Sequence, residues 1–110
     1  METLLGTIVL WPTSRTPESW LPCDGRHLEI ARHLGLYSVI GTTYGGDGVK
    51  SFALPNLTGR VAVGPTPDTH IGTEKQGIAG SPQPPAAGNT SPPTLTLNYI
   101  IAIEGHHPMV

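Results

Sequence analysis

The chain has 110 residues, 14 of them glycine and 12 proline, and this length fits one domain over residues 1–110 with a single modest core. Only 13% of the residues are charged and the net charge is −2, which removes any electrostatic basis for nucleic-acid binding. Cys23 is the only cysteine, so an internal disulfide and a thiolate zinc cluster are both excluded.

The composition also bears on fold class and location. Many glycines and prolines with few charges favour a loop-rich, mostly β domain over a disordered chain. No stretch approaches the roughly 18 consecutive apolar residues of a membrane span. The start Met-Glu-Thr lacks the basic region of a signal peptide. We therefore expect a protein that is made in the cytosol and does not insert into a membrane.

The first predicted element is a strand over Leu4–Trp11, where the sequence LLGTIVLW is apolar until Pro12. Continuous apolar content predicts a strand that is covered on both faces. Farther on, Asp24 and Gly25 predict a turn, because glycine adopts a positive φ at no steric cost. Trp20 belongs to no long element, and we expect it to fill the core from an extended segment.

One helix is predicted, from Ile30 to Ile40. Its apolar residues, which include Leu34 and Tyr37, recur at spacings of 4, 3 and 3, which places them on one helical face. Gly41 is a suitable residue for the C-terminal end of this helix. The pattern predicts a single short helix in an otherwise β domain.

A glycine-rich turn follows the helix. Gly45, Gly46 and Gly48 allow backbone conformations that other residues avoid, and Asp47 is expected to cap its own turn through its side chain. Phosphate binding is a weaker hypothesis, because no Gly-Lys-Ser/Thr follows. Calcium binding is also weak, because one acid does not make an oxygen cage. Pro55 then fixes φ and removes a backbone donor.

The next segments are short. Residues Val49–Leu54 are expected to be extended, and the alternation of Val61 and Val63 within Gly59–Gly64 predicts a short strand end or an extended edge. Arg60 lies in this second segment. We expect it to form a structural ion pair rather than a ligand site, since its guanidinium can bind a carboxylate or backbone carbonyls. The candidate partners are Asp24, Asp47 and Glu104.

The composition changes over Pro65–Thr94, which holds seven prolines and four glycines. Such a segment cannot build a core and predicts a long surface loop. Apolar residues then alternate over Leu95–Ile103, which predicts a strand. Its expected partner is the strand Leu4–Trp11, so that the two terminal strands pair and close the domain.

The motifs, taken in order, resemble the phage tail collar domain, also known from bacterial microcystin-dependent proteins. The centre is the most specific part, with IGTTYGGDG at 40–48 and FALPNLTGRVAVG at 52–64. The family usually has Leu-Pro-Asp-Leu-Arg-Gly-Arg, whereas this chain has Asn56 and Thr58 at the acid and the first arginine. The positions that carry the structural signature are Trp20, Cys23, Asp24, Gly25, Gly45, Gly46, Asp47, Gly48, Pro55 and Arg60.

The resemblance implies an α+β, mostly β domain with one short helix, paired terminal strands and a long Pro/Gly-rich loop. It implies a structural and attachment protein of a phage tail or tail-like particle, made in the bacterial cytoplasm. The implied assembly is a homotrimer beside other tail, fibre or baseplate proteins, which assists host adhesion. The alternative is a stand-alone surface- or carbohydrate-binding adhesin that uses the loop over residues 65–94. The candidate binding residues are His70, Ile71, Lys75, Gln76, Gln83 and Asn89.

Two sets of residues bear on enzymatic and metal chemistry. Cys23, Asp24 and His27 are close in sequence, but proximity alone does not establish a nucleophile, an acid and a base, and no enzyme is expected. His106 and His107 could bind a metal ion on a three-fold axis, although adjacent side chains on an extended segment point in opposite directions. A solvated tail is the alternative, and no other cofactor is expected.

Overall fold

A computed structural model describes residues 3–74 and 93–108. The described residues contain five short strands, a 3₁₀ turn and one α-helix, which confirms the α+β, mostly β fold class. No helix within these ranges is long and apolar enough to cross a membrane. The elements are β1 (Ile8–Trp11), β2 (Trp20–Pro22), β3 (His27–Glu29), the 3₁₀ turn Ile30–Arg32, α1 (Leu34–Ile40), β4 (Ser51–Ala53) and β5 (Asn98–Ala102).

The larger sheet has the order β1-β5-β2, and both strand pairs are antiparallel. The predicted pairing of the terminal strands is confirmed, with β1 and β5 in register from Ile8 opposite Ile101 to Trp11 opposite Asn98. The last strand is shorter than predicted, since it begins at Asn98 rather than Leu95. The physical reason is Pro12, which follows β1 and has no N–H to extend the ladder.

Burial differs between these two strands. Ile100, Ile101 and Ala102 are all buried, because β5 lies between two neighbours and is covered on both faces. The expectation that the first strand is also covered on both faces is wrong. Ile8 and Leu10 on one face of β1 and Val9 on the other are all exposed, so neither face is fully covered.

A second, two-stranded sheet pairs β3 with β4, from His27 opposite Ala53 to Glu29 opposite Ser51. The pairing continues through the hydrogen bond from Ile30 N–H to Lys50 O, at 3.0 Å. The sequence pattern did not predict this sheet, because its strands are too short for alternation to show. Its backbone pairing holds the start of the predicted helix in an extended path.

The helix predicted over residues 30–40 is therefore only partly right. A 3₁₀ turn occupies Ile30–Arg32, and His33 breaks the segment with φ −137° and ψ 47°. The α-helix covers Leu34–Ile40 alone. Its end is as expected, since Gly41 has a positive φ of 56° and donates its N–H to Tyr37 O at 2.7 Å.

One hydrophobic core joins the helix to both sheets. Phe52 on β4 packs edge-on against Tyr37 of α1, with ring centroids 5.4 Å apart. Trp20 is only half-buried and lies outside this core, so its expected role as a core filler is wrong, and its neighbour Leu21 packs there instead. The buried residues of the core cluster are Leu5, Cys23, Leu36, Phe52, Leu54 and Ile101.

The segment Gly59–Gly64 forms no strand, so the prediction of a short strand is wrong. Val61 and Val63 are both exposed. Their alternation is typical of a strand, but the segment has no ladder partner within residues 3–74 and 93–108. The chain therefore passes along the surface here, beside the loop that follows.

Candidate functional site

The glycine-rich turn is held by the side chain of Asp47. Its Oδ1 accepts backbone N–H groups from Val49, Lys50 and Ser51 at 2.9, 2.9 and 3.0 Å. These hydrogen bonds lower the pKa of Asp47 to about 2. The predicted self-capping is confirmed. These hydrogen bonds tie the turn to the start of β4. Because Oδ1 already accepts three N–H groups, it is poorly suited to coordinate calcium.

The depressed pKa of Asp47 predicts an acid-dependent loss of stability. The unfolded carboxyl titrates near 3.8 and the folded one near 2, so the unfolded chain takes up the proton first as the pH falls. The contribution of Asp47 is complete above about pH 4 and is lost between pH 4 and 2. We expect Asp47→Asn, whose amide oxygen still accepts but does not titrate, to lack this part of the acid sensitivity.

Urea unfolding of wild type and Asp47→Asn, at pH values above and within that window, measures the difference. The difference between their urea midpoints should change with pH only between about pH 4 and pH 2. Asp47→Ala serves as the second variant, because it removes the cap and should be less stable than both at neutral pH. Parallel pH curves for wild type and Asp47→Asn would contradict the assignment.

Gly46 brings this turn against β4. Gly45 O accepts the N–H of Ala53 at 3.0 Å, and Gly48 N–H donates to Ser51 O at 3.0 Å. Between them Gly46 has φ +99°, and a Cβ there would lie 2.6 Å from Ser51 O. Only glycine therefore allows so close an approach of the turn to the strand.

Asp24 and Arg26 form a bidentate pair on the turn before β3. Arg26 Nε and Nη2 donate to the two oxygens of Asp24 at 3.0 and 2.9 Å. These hydrogen bonds lower the pKa of Asp24 below its usual value. Gly25 adopts φ +81°, as the predicted turn requires. Asp24 therefore pairs with Arg26 and is not the partner of Arg60.

Cys23 lies in the core with its side chain 3% exposed. Burial, with a smaller contribution from Asp24, raises the pKa of the thiol to about 11. A nucleophilic cysteine needs the opposite shift, because the thiolate is the reactive form. His27 lies on β3 and is exposed. This arrangement favours a structural role for the thiol over nucleophilic catalysis.

Arg60 forms an ion pair, but with a residue that the sequence did not indicate. Its Nη1 lies 3.0 Å from Glu74 Oε1 and donates to Asn56 O at 3.0 Å. The predicted partners, Asp24, Asp47 and Glu104, are wrong. Asp24 and Asp47 accept from their own turns, and Glu104 accepts from Ser19 at 2.9 Å.

A surface groove of about 320 Å³ lies between residues 55–65 and 69–74. We call it the Val63 groove. It contains Arg60 and Glu74 together with two of the predicted binding residues, His70 and Ile71. Lys75, Gln76, Gln83 and Asn89 lie outside the described residues. The apolar lining includes Ile8, Tyr44, Leu57, Val61, Val63 and Ile71.

The sequence pattern of Val61 and Val63 did not indicate that they line a binding surface. Their alternation is the pattern of a strand edge, and the missing information was that no strand pairs with them. Tyr44 was also missed, because it lies far along the chain from residues 60–74. The signal that could have found this surface is an apolar segment directly followed by a proline-rich loop.

The two histidines near the C-terminus are held by other parts of the chain. The backbone of His106 bonds to Thr3 and Leu5, and His107 Nε2 lies 2.6 Å from Ser38 Oγ on α1. Residues 3–74 and 93–108 contain no group of three or more His, Cys, Asp or Glu side chains that could hold a metal ion. An axial metal site would need three chains and stays a prediction.

Comparison with known proteins identifies a family for this chain. A search of curated proteins gave no significant match. The Phage Tail Collar Domain family matches residues 6–62. These residues span β1 to β4, the turns at Gly25 and at residues 45–48, and Arg60. This is a structural family of phage tails that is not known for enzymatic activity. Because the match covers just over half of the chain, the protein belongs to the phage tail collar domain family, which assigns it a structural role in the tail of a virion.

Proposed function

We propose that the chain is a trimeric collar or fibre-tip module of a phage tail or tail-like particle that contacts other tail proteins and assists adhesion to the host surface. The observation that carries this proposal is the family match over residues 6–62. The bacterial cytoplasm is the proposed place of synthesis, before assembly into the tail.

Surface composition supports an assembly role. In the part of the chain that the structure describes, eleven large hydrophobic residues are exposed against nine buried hydrophobic residues. Scattered exposed apolar residues are normal, but several of these meet at β1 and the Val63 groove. A protein whose apolar side chains are so often exposed gains stability when neighbouring subunits cover them.

The second candidate is a stand-alone adhesin that reads a glycan with residues 65–94. It is favoured by His70 and Ile71, which lie in the Val63 groove. The chemistry of the groove fits it less well. Sugar recognition requires convergent hydrogen-bonding groups, whereas this lining is largely aliphatic and its Arg60 and Glu74 bind each other. We therefore place protein contacts before glycan contacts.

Deletion of residues 75–88, replaced by a short Gly-Ser linker, separates the two functions. The deletion retains Glu74 and hence its ion pair with Arg60. If these residues only serve assembly, particles should fail to form or should lose a neighbouring component. If they read a receptor, complete particles should form and should not adsorb to host cells.

The measurements are electron microscopy and subunit composition of purified particles, followed by adsorption to the host. A control chain with residues 75–88 in scrambled order keeps length and composition. Wild-type assembly and adsorption after deletion would contradict a role of this loop in either function. Absence of the wild-type chain from purified tails would overturn the proposed function as a whole.

A further inference from the structure

The segment Leu95–Leu97 has the sequence pattern of a strand, but it has no strand partner within residues 3–74 and 93–108. Leu95 is 82% exposed, and Leu97 is also exposed. The ladder stops at Asn98 because β1 ends opposite it, at Trp11, and Pro12 follows. In an extended segment, residues two apart point to the same side, roughly 7 Å from each other. We call the two exposed leucines, Leu95 and Leu97, the Leu95 ridge.

The Val63 groove is the matching concave surface. Its walls carry Val61 and Val63 on one side and Ile71 on the other, and all three are exposed. Its two charged residues, Arg60 and Glu74, neutralise each other at 3.0 Å. A groove of about 320 Å³ with this lining accepts aliphatic side chains better than charged or strongly polar groups.

We propose that the Leu95 ridge of one copy of this chain inserts into the Val63 groove of a second copy. This inference rests on the self-assembly in the proposed function and names the surfaces that would carry it. An extended segment with alternate apolar side chains is a common ligand of grooves beside exposed strands. Here the groove includes Ile8 of the edge strand β1.

Charge favours a second copy as the occupant. Residues 93–98 carry no charged side chain, and the groove is neutral through its internal ion pair. Identical chains can therefore meet here without placing like charges together, which would weaken the contact.

The ridge and the groove belong to the same chain, so a head-to-tail contact is open to every copy. Leu57 lines both the Val63 groove and the smaller cavity that Leu97 borders, so the two halves adjoin on one surface. Each copy can then give its ridge to one neighbour and receive a ridge from another. Such a contact between unlike surfaces produces a ring when the rotation between copies closes.

Serine variants with a matched control test the inference. Val63→Ser and Leu95→Ser each remove one side of the contact, whereas Val49→Ser changes a residue that is 78% exposed but lies outside both surfaces. Light scattering after size-exclusion chromatography, at micromolar concentration, gives the mass of each variant. Circular dichroism shows whether each variant is folded.

We expect wild type and Val49→Ser to share one oligomeric mass, and Val63→Ser and Leu95→Ser to dissociate with an association constant roughly 30-fold lower. Unchanged masses for Val63→Ser and Leu95→Ser would overturn the inference. So would equal dissociation of Val49→Ser, or a wild-type chain that is monomeric under these conditions. If a glycan or another tail protein occupies the Val63 groove instead of a second copy, the wild-type chain should be monomeric.

Disulfide trapping identifies the contact directly and does not depend on a change in mass. Chains with Val63→Cys and chains with Leu95→Cys carry different tags and are mixed and oxidised, while the buried Cys23 stays protonated in both. A mixed-tag disulfide should form, and the control pair Val49→Cys with Leu95→Cys should give at least tenfold less. No excess over the control would overturn the inference, while incorporation of wild type into tails would still support the proposed function.

Discussion

Replacing Gly46 with alanine is expected to lower the free energy of unfolding by about 4 kcal/mol or more, one of the two largest single-residue effects that we predict. The new Cβ would lie 2.6 Å from Ser51 O and against the backbone of Phe52, so β4 itself would have to move. The residue would also keep φ +99°, which alanine adopts only under strain. Small domains are stable by about 5–15 kcal/mol, so at least about a quarter of the margin would be lost.

Gly59→Ala is the matched control for Gly46→Ala. Gly59 also has a positive φ, +68°, but a Cβ there would meet nothing within 4 Å. Its substitution should therefore cost only the conformational strain, about 1–2 kcal/mol. Urea unfolding followed by circular dichroism measures both. Equal losses for the two variants would show that the close approach to β4 does not require glycine.

Leu36→Ala is expected to cost about 2–5 kcal/mol of unfolding free energy. Leu36 is 1% exposed and belongs to the core cluster between α1 and the sheets. Its truncation leaves a cavity that the backbone of a short helix can fill only in part. The loss should appear as a lower urea midpoint with an unchanged dependence on urea concentration.

The same helix supplies the control, because Leu34 lies two residues earlier and is 64% exposed. Leu34→Ala makes the same chemical change as Leu36→Ala and changes helix propensity by the same amount. It should alter the unfolding free energy by only about 0.5 kcal/mol or less. A similar loss from both substitutions would mean that helix propensity, rather than burial, decides the stability of α1.

The sequence predicted those parts of the fold that depend on local chemistry or on long apolar strands. The pairing of β1 with β5 followed from their apolar content, and the Asp47 turn followed from its glycines and one short acid. Gly41 at the end of α1 was predicted because glycine accepts a positive φ without strain. The turn and the helix end are each encoded within about ten residues, whereas the strand pairing joins Ile8–Trp11 to a strand near the other end of the chain.

Other features that depend on distant partners were not predicted. The pairing of β3 with β4 joins three-residue segments that show no alternation, and its backbone bonds shorten the predicted helix. The exposure of β1 was missed, because apolar content does not show whether a strand lies at the edge of a sheet.

The candidate site was predicted only in part for a similar reason. His70 and Ile71 lie in the Val63 groove as neighbours of Arg60, but the pairing of Arg60 with Glu74 depends on the path of a loop. No local sequence pattern indicates that Arg60 pairs with Glu74, fourteen residues farther along the chain. The groove itself exists because Gly59–Gly64 stays unpaired, which local propensity does not encode.

The order of the larger sheet also has a consequence for synthesis. The strand β5 is the last of the five strands along the chain and the middle one in the larger sheet, where it pairs with both β1 and β2. The N-terminal strands β1 and β2 are synthesised first, and their ladder with β5 can form only after residues 98–102 have left the ribosome. Only the small β3–β4 sheet can pair earlier. A nascent chain interrupted before Asn98 therefore lacks the three-stranded sheet entirely.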